Sequence, residues 1–180
     1  MFKLYFEDGM YLSLFERSDA GTLFKVIDDN RQHLGEWLKF PSITRTENDS
    51  LQFIERVRLR FARDEGYWLG IWNDNVLLGS IGFLYIDQEN GKSEIGYWLD
   101  KKHEGNGIIS KSIKILLDHA FNNLNLNKVE IGVAEDNFKS RAIPEKLGFT
   151  EEGIIRDYEF LNERYLNRII FGLRKSEWNQ

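Results

Sequence analysis

The stretch from His103 to Phe121, HEGNGIISKSIKILLDHAF, joins a glycine turn to a helix pattern, a combination suited to holding an anion. In Gly105-Asn106-Gly107 the backbone can approach a ligand closely, because two of the three residues carry no side chain. Behind the turn, Ile109, Ile113, Leu116, Leu117, Ala120 and Phe121 recur at helical spacing. A turn that opens a helix directly after a strand leaves several N–H groups without acceptors, at the positive end of the helix dipole. Phosphate binds at such places. The turn matches neither the dinucleotide fingerprint G-x-G-x-x-G nor a P-loop ending in G-K-[ST]. A strand-to-helix turn that needs positive φ is the plainer reading of the same glycines, and the flanking segments must decide.

Other chemistry is narrowed by what the chain contains. It has no cysteine, which removes disulfides, thiolate catalysis and Cys-based zinc sites. His33, His103 and His119 form no i, i+4 pair and no HExxH, so no metal is expected. There is no G-x-S-x-G elbow. A net charge of −5 disfavours a nucleic-acid partner, which needs clustered Lys and Arg. No apolar run approaches the length of a membrane span, and no export signal is read in MFKLYFEDGMYLSLFE, so a soluble, cytoplasmic protein is expected. With 180 residues, of which 42% are hydrophobic, one domain over 1–180 is expected.

The elements that must position the turn are read from periodicity. Tyr11 to Phe15 reads as a strand, and Ser18 or Asp19 caps a helix running towards Asp29. Asn30 to Phe40 continues as a short helix or turn before Pro41, with Leu34, Trp37 and Phe40 either core or pocket wall. Asn48 to Ser50 caps a helix whose inner face is Leu51, Ile54, Val57 and Phe61, leaving Arg56, Arg58, Arg60 and Arg63 to solvent. From Gly66 the period changes to that of strands: Tyr67 to Trp72, Val76 to Ile86 and Ser93 to Leu99 are three consecutive antiparallel strands. In the third, Ile95 and Tyr97 share one face, and Glu94 and Trp98 the other. After the long helix, Lys128 to Val133 is a strand with Val129, Ile131 and Val133 on one face. Glu135-Asp136-Asn137 is a cap region before a short helix over Phe138 to Leu147, stopped by Gly148. Strands near Gly153 to Phe160 and Tyr165 to Leu173 end the chain.

This order of elements resembles the GNAT acetyltransferases. The segments Glu94-Ile95-Gly96-Tyr97-Trp98-Leu99, Glu104-Gly105-Asn106-Gly107, Asn127-Lys128-Val129-Glu130-Ile131, Asn137 with Ser140-Arg141, and Glu145-Lys146-Leu147-Gly148-Phe149 are similar to the RimJ/RimL branch, whose members acetylate α-amino groups of ribosomal proteins. The resemblance runs from Tyr11 to Trp178. It implies an α+β fold with a central mixed, mostly antiparallel, twisted sheet, splayed strands and flanking helices. It also implies acetyl-CoA as acetyl donor and an amine acceptor, with the N-terminus of a ribosomal protein as the candidate. Two positions depart from the pattern. The turn usually begins with Gln or Arg and ends in Gly or Ala, where this chain has Glu104 and Ile109. Pro144 stands inside the short helix where the branch usually has Ala; it removes the N–H that would bond the Ser140 carbonyl, which should kink or tighten the helix.

Acetyl transfer to an amine needs a neutral amine, a donor for the oxyanion and a proton for the thiolate. Roughly 10 to 15% of an α-amine is neutral at pH 7, against roughly 0.04% of a lysine, so a weak base suffices for the former. The resemblance implies Glu159 as that base, with simple pairing to Arg164 or Arg168 as the alternative role and Glu94 as second candidate. It implies Ser140 beside the thiolate and Asn137 on the pantetheine arm, which lies between the splayed strands. A backbone N–H of Glu94 to Leu99 serves the oxyanion, and Ile95, Tyr97 and Trp98 flank the acyl group. The pyrophosphate falls to Glu104, Gly105, Asn106, Gly107, Ile108 and Ile109, with Lys111, Lys139, Arg141 and Lys146 as candidate counter-ions. Acetylation of a small amine such as a polyamine or aminoglycoside, and non-catalytic acyl-CoA sensing, are the alternatives. Aromatic-rich surface segments make a homo-oligomer plausible.

Overall fold

In the computed structural model, which describes residues 2–7 and 9–178, the chain opens with two paired strands, β1 (Lys3–Glu7) and β2 (Met10–Leu14). Only β2 is legible in the sequence, because its residues are buried while β1 lies at the sheet edge with Tyr5 exposed. Four helices come next: α1 (Ala20–Asp29), α2 (Arg31–Gly35), α3 (Phe40–Ile43) and α4 (Glu47–Ala62). Asp19 precedes α1 as expected, although its carboxylate accepts the Glu16 N–H instead of capping α1. Pro41 sits inside the first turn of α3, where a missing N–H is harmless. The cap of α4 is Thr46, earlier than expected. Its hydroxyl accepts the Asp49 N–H at 3.3 Å and its own N–H donates to the Asp49 carboxylate at 2.8 Å, a reciprocal capping box.

Of the four arginines expected on the solvent face of α4, Arg56 and Arg63 are exposed, and Arg58 and Arg60 turn back onto the sheet. Arg58 donates to the Phe15 carbonyl at 2.8 Å, and Arg60 reaches the Leu84 carbonyl at 2.5 Å. Their aliphatic stems let the charged heads reach carbonyls outside the ladders, at Phe15 just past the end of β2 and at Leu84, the position of irregular register later in this chain between Phe83 and Tyr85. Ile54 and Val57 of the same helix are buried as the periodicity requires.

The alternating region gives β3 (Tyr67–Asn73), β4 (Val76–Asp87) and β5 (Lys92–Leu99), then α5 (Ile108–Asp118), β6 (Lys128–Ala134), α6 (Phe138–Lys146), β7 (Thr150–Leu161) and β8 (Arg164–Arg174). Among the described residues, eight strands form one sheet in the order β1-β2-β3-β4-β5-β6-β8-β7. Every neighbouring pair is antiparallel except β5 and β6. That exception arises from α5, which carries the chain back to the starting end of the sheet. The expected α+β arrangement is therefore present.

Strand alternation assigns the two faces. On one, Ile95, Val129, Ile131, Val133, Ile169 and Phe171 pack with Ile109, Ile113, Leu116 and Leu117 of α5. Ile113, Leu116 and Leu117 are fully buried, each worth about 1.5–3 kcal/mol of burial. On the other, Trp98 and Trp72 join Leu23, Ile27, Leu34 and Ile54 from α1, α2 and α4. The end of α5 continues as a π-helical turn over His119–Asn123. Among the described residues no helix is long and apolar enough to cross a membrane.

Candidate active site

β5 and β6 are paired at only three positions, Lys92 with Lys128, Ser93 with Val129 and Glu94 with Glu130. β5 runs on to Leu99 and β6 to Ala134, each held on its outer side: Ile81 faces Tyr97, and Ile169 faces Val133. The two strands thus diverge between their fixed neighbours and leave a gap. The Asp100 N–H bonds the Leu78 carbonyl on the β4 side. Alternation then turns the main-chain groups of Tyr97 and Leu99 away from β4 and into the gap. An extended ligand can add there as a strand would.

The segments leaving the ends of β5 and β6 form the mouth of the gap. β5 leads through a tight turn at Lys101–His103 into Glu104-Gly105-Asn106-Gly107. Gly105 has φ +82° and Gly107 φ +71°, the left-handed region. A Cβ at Gly105 would meet nothing within 4 Å, so the space over the turn is open and glycine is needed for its φ. Lys111 N–H bonds the Gly107 carbonyl, and Ile108, Ile109 and Ser110 precede it, with amides that have no intrahelical acceptor. The side chains of Ile108 and Ile109 are buried, so these two can offer a ligand only their backbone. Asn106 folds back to the His103 and Glu104 carbonyls at 3.3 and 3.4 Å.

Glu104 does not stand alone beside these amides. One carboxylate oxygen is 2.8 Å from His33 Nε2 in α2, and the other is 3.1 Å from Lys139 Nζ in α6. Of the other candidate counter-ions, Lys111 pairs with Glu7 at 2.6 Å and Arg141 donates to the Glu135 carbonyl at 3.1 Å. His33 carries no signal in the sequence, because its partner is reached only when α2 folds beside the turn.

β6 leads into α6. Asn137 Oδ1 accepts the Ser140 N–H at 3.1 Å and caps the helix, while its Nδ2 has no hydrogen-bond partner among the described residues. Ser140 lies one turn inside α6, and its Oγ is 3.1 Å from the Tyr97 hydroxyl of β5. The same hydroxyl donates to the Ser140 carbonyl at 3.2 Å. Burial pushes the Tyr97 phenol up to about 12, only partly offset by the Ser140 hydrogen bond. Ile95 and Trp98, expected around the acyl group with Tyr97, have their side chains packed in the two cores; Trp98 lies 5.9 Å from Phe40, ring to ring.

The opposite face carries the carboxylates. Glu94 and Glu130 are neighbours at the last rung before the strands part. Each has its own cation: Arg168 meets Glu94 at 2.6 Å, and Lys128 meets Glu130 at 2.9 Å. Burial alone would raise the Glu130 carboxyl, yet Lys128 and the Tyr85 hydroxyl hold it below its ordinary value. Arg168 lies across Gly132, where any Cβ would run into its guanidinium, and stacks 4.5 Å from the Tyr158 ring centre. Glu94, the second candidate base, is therefore committed to an ion pair.

Glu159 faces Leu166 in the β7–β8 ladder, which puts it on the same face as Arg168 and Glu94. An irregularity between Ile155 and Glu159, with Asp157 at φ +50°, sets this register. Neither of the two arginines that could have paired with it does so: Arg168 holds Glu94, and Arg164 lies 3.5 Å from Asp136 and over the Trp37 ring at 5.5 Å. Among the described residues the carboxylate of the half-buried Glu159 has no ion pair or hydrogen bond. At the hairpin tip, Asn162 Nδ2 donates to the Gly35 and Glu36 carbonyls at 3.0 and 3.2 Å, closing this side of the cleft against α2. Leu34 is core, whereas Trp37 and Phe40 are half-exposed at the rim.

A family model described as the acetyltransferase (GNAT) domain matches residues 10–150. The chain is 39% identical over 181 aligned residues to the Bacillus subtilis (strain 168) protein named "Putative ribosomal N-acetyltransferase YdaF", covering 99% of this chain and 98% of that one. It is 32% identical over 143 residues to the ribosomal-protein-serine acetyltransferase of Escherichia coli (strain K12), covering 79% and 80%. Among solved structures it is similar to the microcin C7 self-immunity acetyltransferase MccE in complex with acetyl-CoA and AMP, with a TM-score of 0.88, 26% identity and 93% of each chain covered.

Proposed function

Since the chain belongs to the GNAT acetyltransferase family and is an N-acetyltransferase of that type, we propose that it moves an acetyl group from acetyl-CoA to the N-terminal α-amine of a protein or peptide. The names of its relatives point to a ribosomal protein as the acceptor. The observation that carries this reading is the placement of two groups. Glu159 of β7, without an ion partner among the described residues, lies on one face of the sheet, and Ser140 lies on the other, against Tyr97 of β5 at the gap.

The residues at the gap fit acetyl-CoA. The amides from Gly105 to Ile109 and the open space over the turn suit a pyrophosphate. Asn137 Nδ2 and the inward main-chain groups of Tyr97 and Leu99 suit the polar pantetheine arm. When bound, acetyl-CoA supplies the acetyl group as a thioester. Glu159 takes a proton from the incoming ammonium, directly or through water, and returns it to solvent. The Tyr97 N–H donates to the carbonyl oxygen as that oxygen gains charge. As the C–N bond forms and the C–S bond breaks, the nitrogen would give its second proton to water, and Ser140 would pass its own proton to the departing sulfur and recover one from that water, so that neither alkoxide nor hydroxide accumulates. An α-amine suits this equipment because one half-buried carboxylate is a weak base.

A small amine is the second reading. The contact of Asn162 with α2 and the aromatic rim of Trp37 and Phe40 narrow the acceptor side, which favours a compact substrate. The two are separated by monitoring thiol release from acetyl-CoA with a serine-first peptide and with spermidine. Faster release with the peptide supports the first reading; release with spermidine alone replaces it.

A further inference from the structure

We propose that Tyr97 is a positioning residue for Ser140, and that Pro144, one helical turn beyond the serine, commits it to that task. The proposal rests on the reading of Ser140 as the group that serves the departing sulfur. In an unbroken α-helix the amide at position 144 would bond the Ser140 carbonyl. Proline has no hydrogen there, and α6 contains Pro144. The hydroxyl of Tyr97 lies 3.2 Å from that carbonyl oxygen and donates to it.

Hydrogen-bond accounting then fixes which group donates to which. A phenol has one proton, and a backbone carbonyl only accepts. With the Tyr97 proton on the Ser140 carbonyl, the 3.1 Å link between the two hydroxyl oxygens must be made by the proton of Ser140. Ser140 is thereby held as a donor, its Oγ anchored to β5 across the gap. Its proton is free to turn from the phenol oxygen towards an anionic sulfur, and the Tyr97 oxygen it leaves is not forced to donate. Burial keeps the phenol protonated throughout the neutral range. The link also joins one of the parted strands to the helix beyond the other, so it sets the distance between the gap wall and the helix that carries Ser140.

The test is a double-mutant cycle on kcat, with acetyl-CoA and whichever of a serine-first peptide or spermidine the wild-type protein turns over. Tyr97→Phe is expected to lower kcat about tenfold, the worth of one hydrogen bond in the transition state, with KM for acetyl-CoA within about twofold. In a Ser140→Ala background the same change is expected to cost less than about twofold, because the group it positions is gone. Tyr97→Phe/Pro144→Ala returns an amide donor to the carbonyl; it is expected to recover thermal stability lost in Tyr97→Phe and to leave kcat low. Losses that multiply fully in the cycle, or recovery of kcat by Pro144→Ala, overturn the proposal. Wild-type turnover in Ser140→Ala overturns the reading of Ser140 itself, and the proposal with it.

Discussion

Glu104 and Lys139 meet at 3.1 Å across the mouth of the gap, one from the turn after β5 and the other from the helix after β6. The contact answers what the sequence leaves open about a carboxylate beside a phosphate site. Its carboxylate is engaged on both oxygens, by Lys139 and by His33, which leaves the amides from Gly105 to Ile109 open to an anion. A residual repulsion is still expected, because Lys139 is largely exposed and its pairing is screened by solvent. Glu104→Gln should tighten CoA on the order of three- to tenfold by calorimetry, an effect that shrinks in high salt. Weaker binding would mean that Glu104 matters more as a brace for the turn than as a charge.

Gly107 tests the turn itself. Alanine at φ +71° is strained by about 1–2 kcal/mol, although the space would admit a methyl group, since Lys111 is the nearest neighbour at 4.0 Å. Gly107→Ala should lower CoA affinity about tenfold while the protein stays folded. Unchanged affinity would move the pyrophosphate elsewhere.

The two glutamates on the acceptor face should behave differently. Glu94→Gln breaks its pair with the mostly buried Arg168 and should cost about 2–3 kcal/mol in urea unfolding, with turnover retained. Glu159→Gln, which loses no ion pair among the described residues, should leave stability within about 0.5 kcal/mol and lower kcat on the order of 100-fold or more. The reverse pattern would make Glu94 the base.

Alkaline stability should report Tyr97. Its phenol is raised by burial from 10.0 to about 12, so above pH 10 the unfolded chain releases a proton that the folded chain keeps. Folding stability therefore falls by about 1.4 kcal/mol per pH unit between about 10 and 12 on account of this group, and does not vary with pH below about 10 on its account. Tyr97→Phe should flatten that decline. An identical decline in the variant would assign it to Tyr67 and Tyr85, whose phenols burial also raises.

How much of the fold and site is legible in the sequence depends on the range of the interaction. The three strands around Glu94 to Leu99, the cap region Glu135-Asp136-Asn137 and the stop at Gly148 are dictated by local alternation and capping, and they set where the turn and the short helix fall in the chain. β1 is not legible, because an edge strand half open to water has no strong burial pattern. Pro144 announces a missing hydrogen bond, but nothing local can say that Tyr97, 47 residues earlier, lies beside the freed carbonyl. The pairings of Glu104 with His33 and of Glu94 with Arg168 are likewise invisible, since each joins segments about 70 residues apart. Spacing reveals which groups share an element; the fold alone decides which charges meet.

A serine-first peptide that carries one internal lysine, incubated with the protein and acetyl-CoA at pH 7 and read by fragment mass spectrometry, decides the acceptor and the base together. The expected result is one acetyl group on the α-amine, with thiol released in equal amount, and loss of the reaction in Glu159→Gln with CoA binding retained. Acetyl on the lysine side chain, or full turnover in Glu159→Gln, would contradict the assignment of an α-amine acceptor served by Glu159.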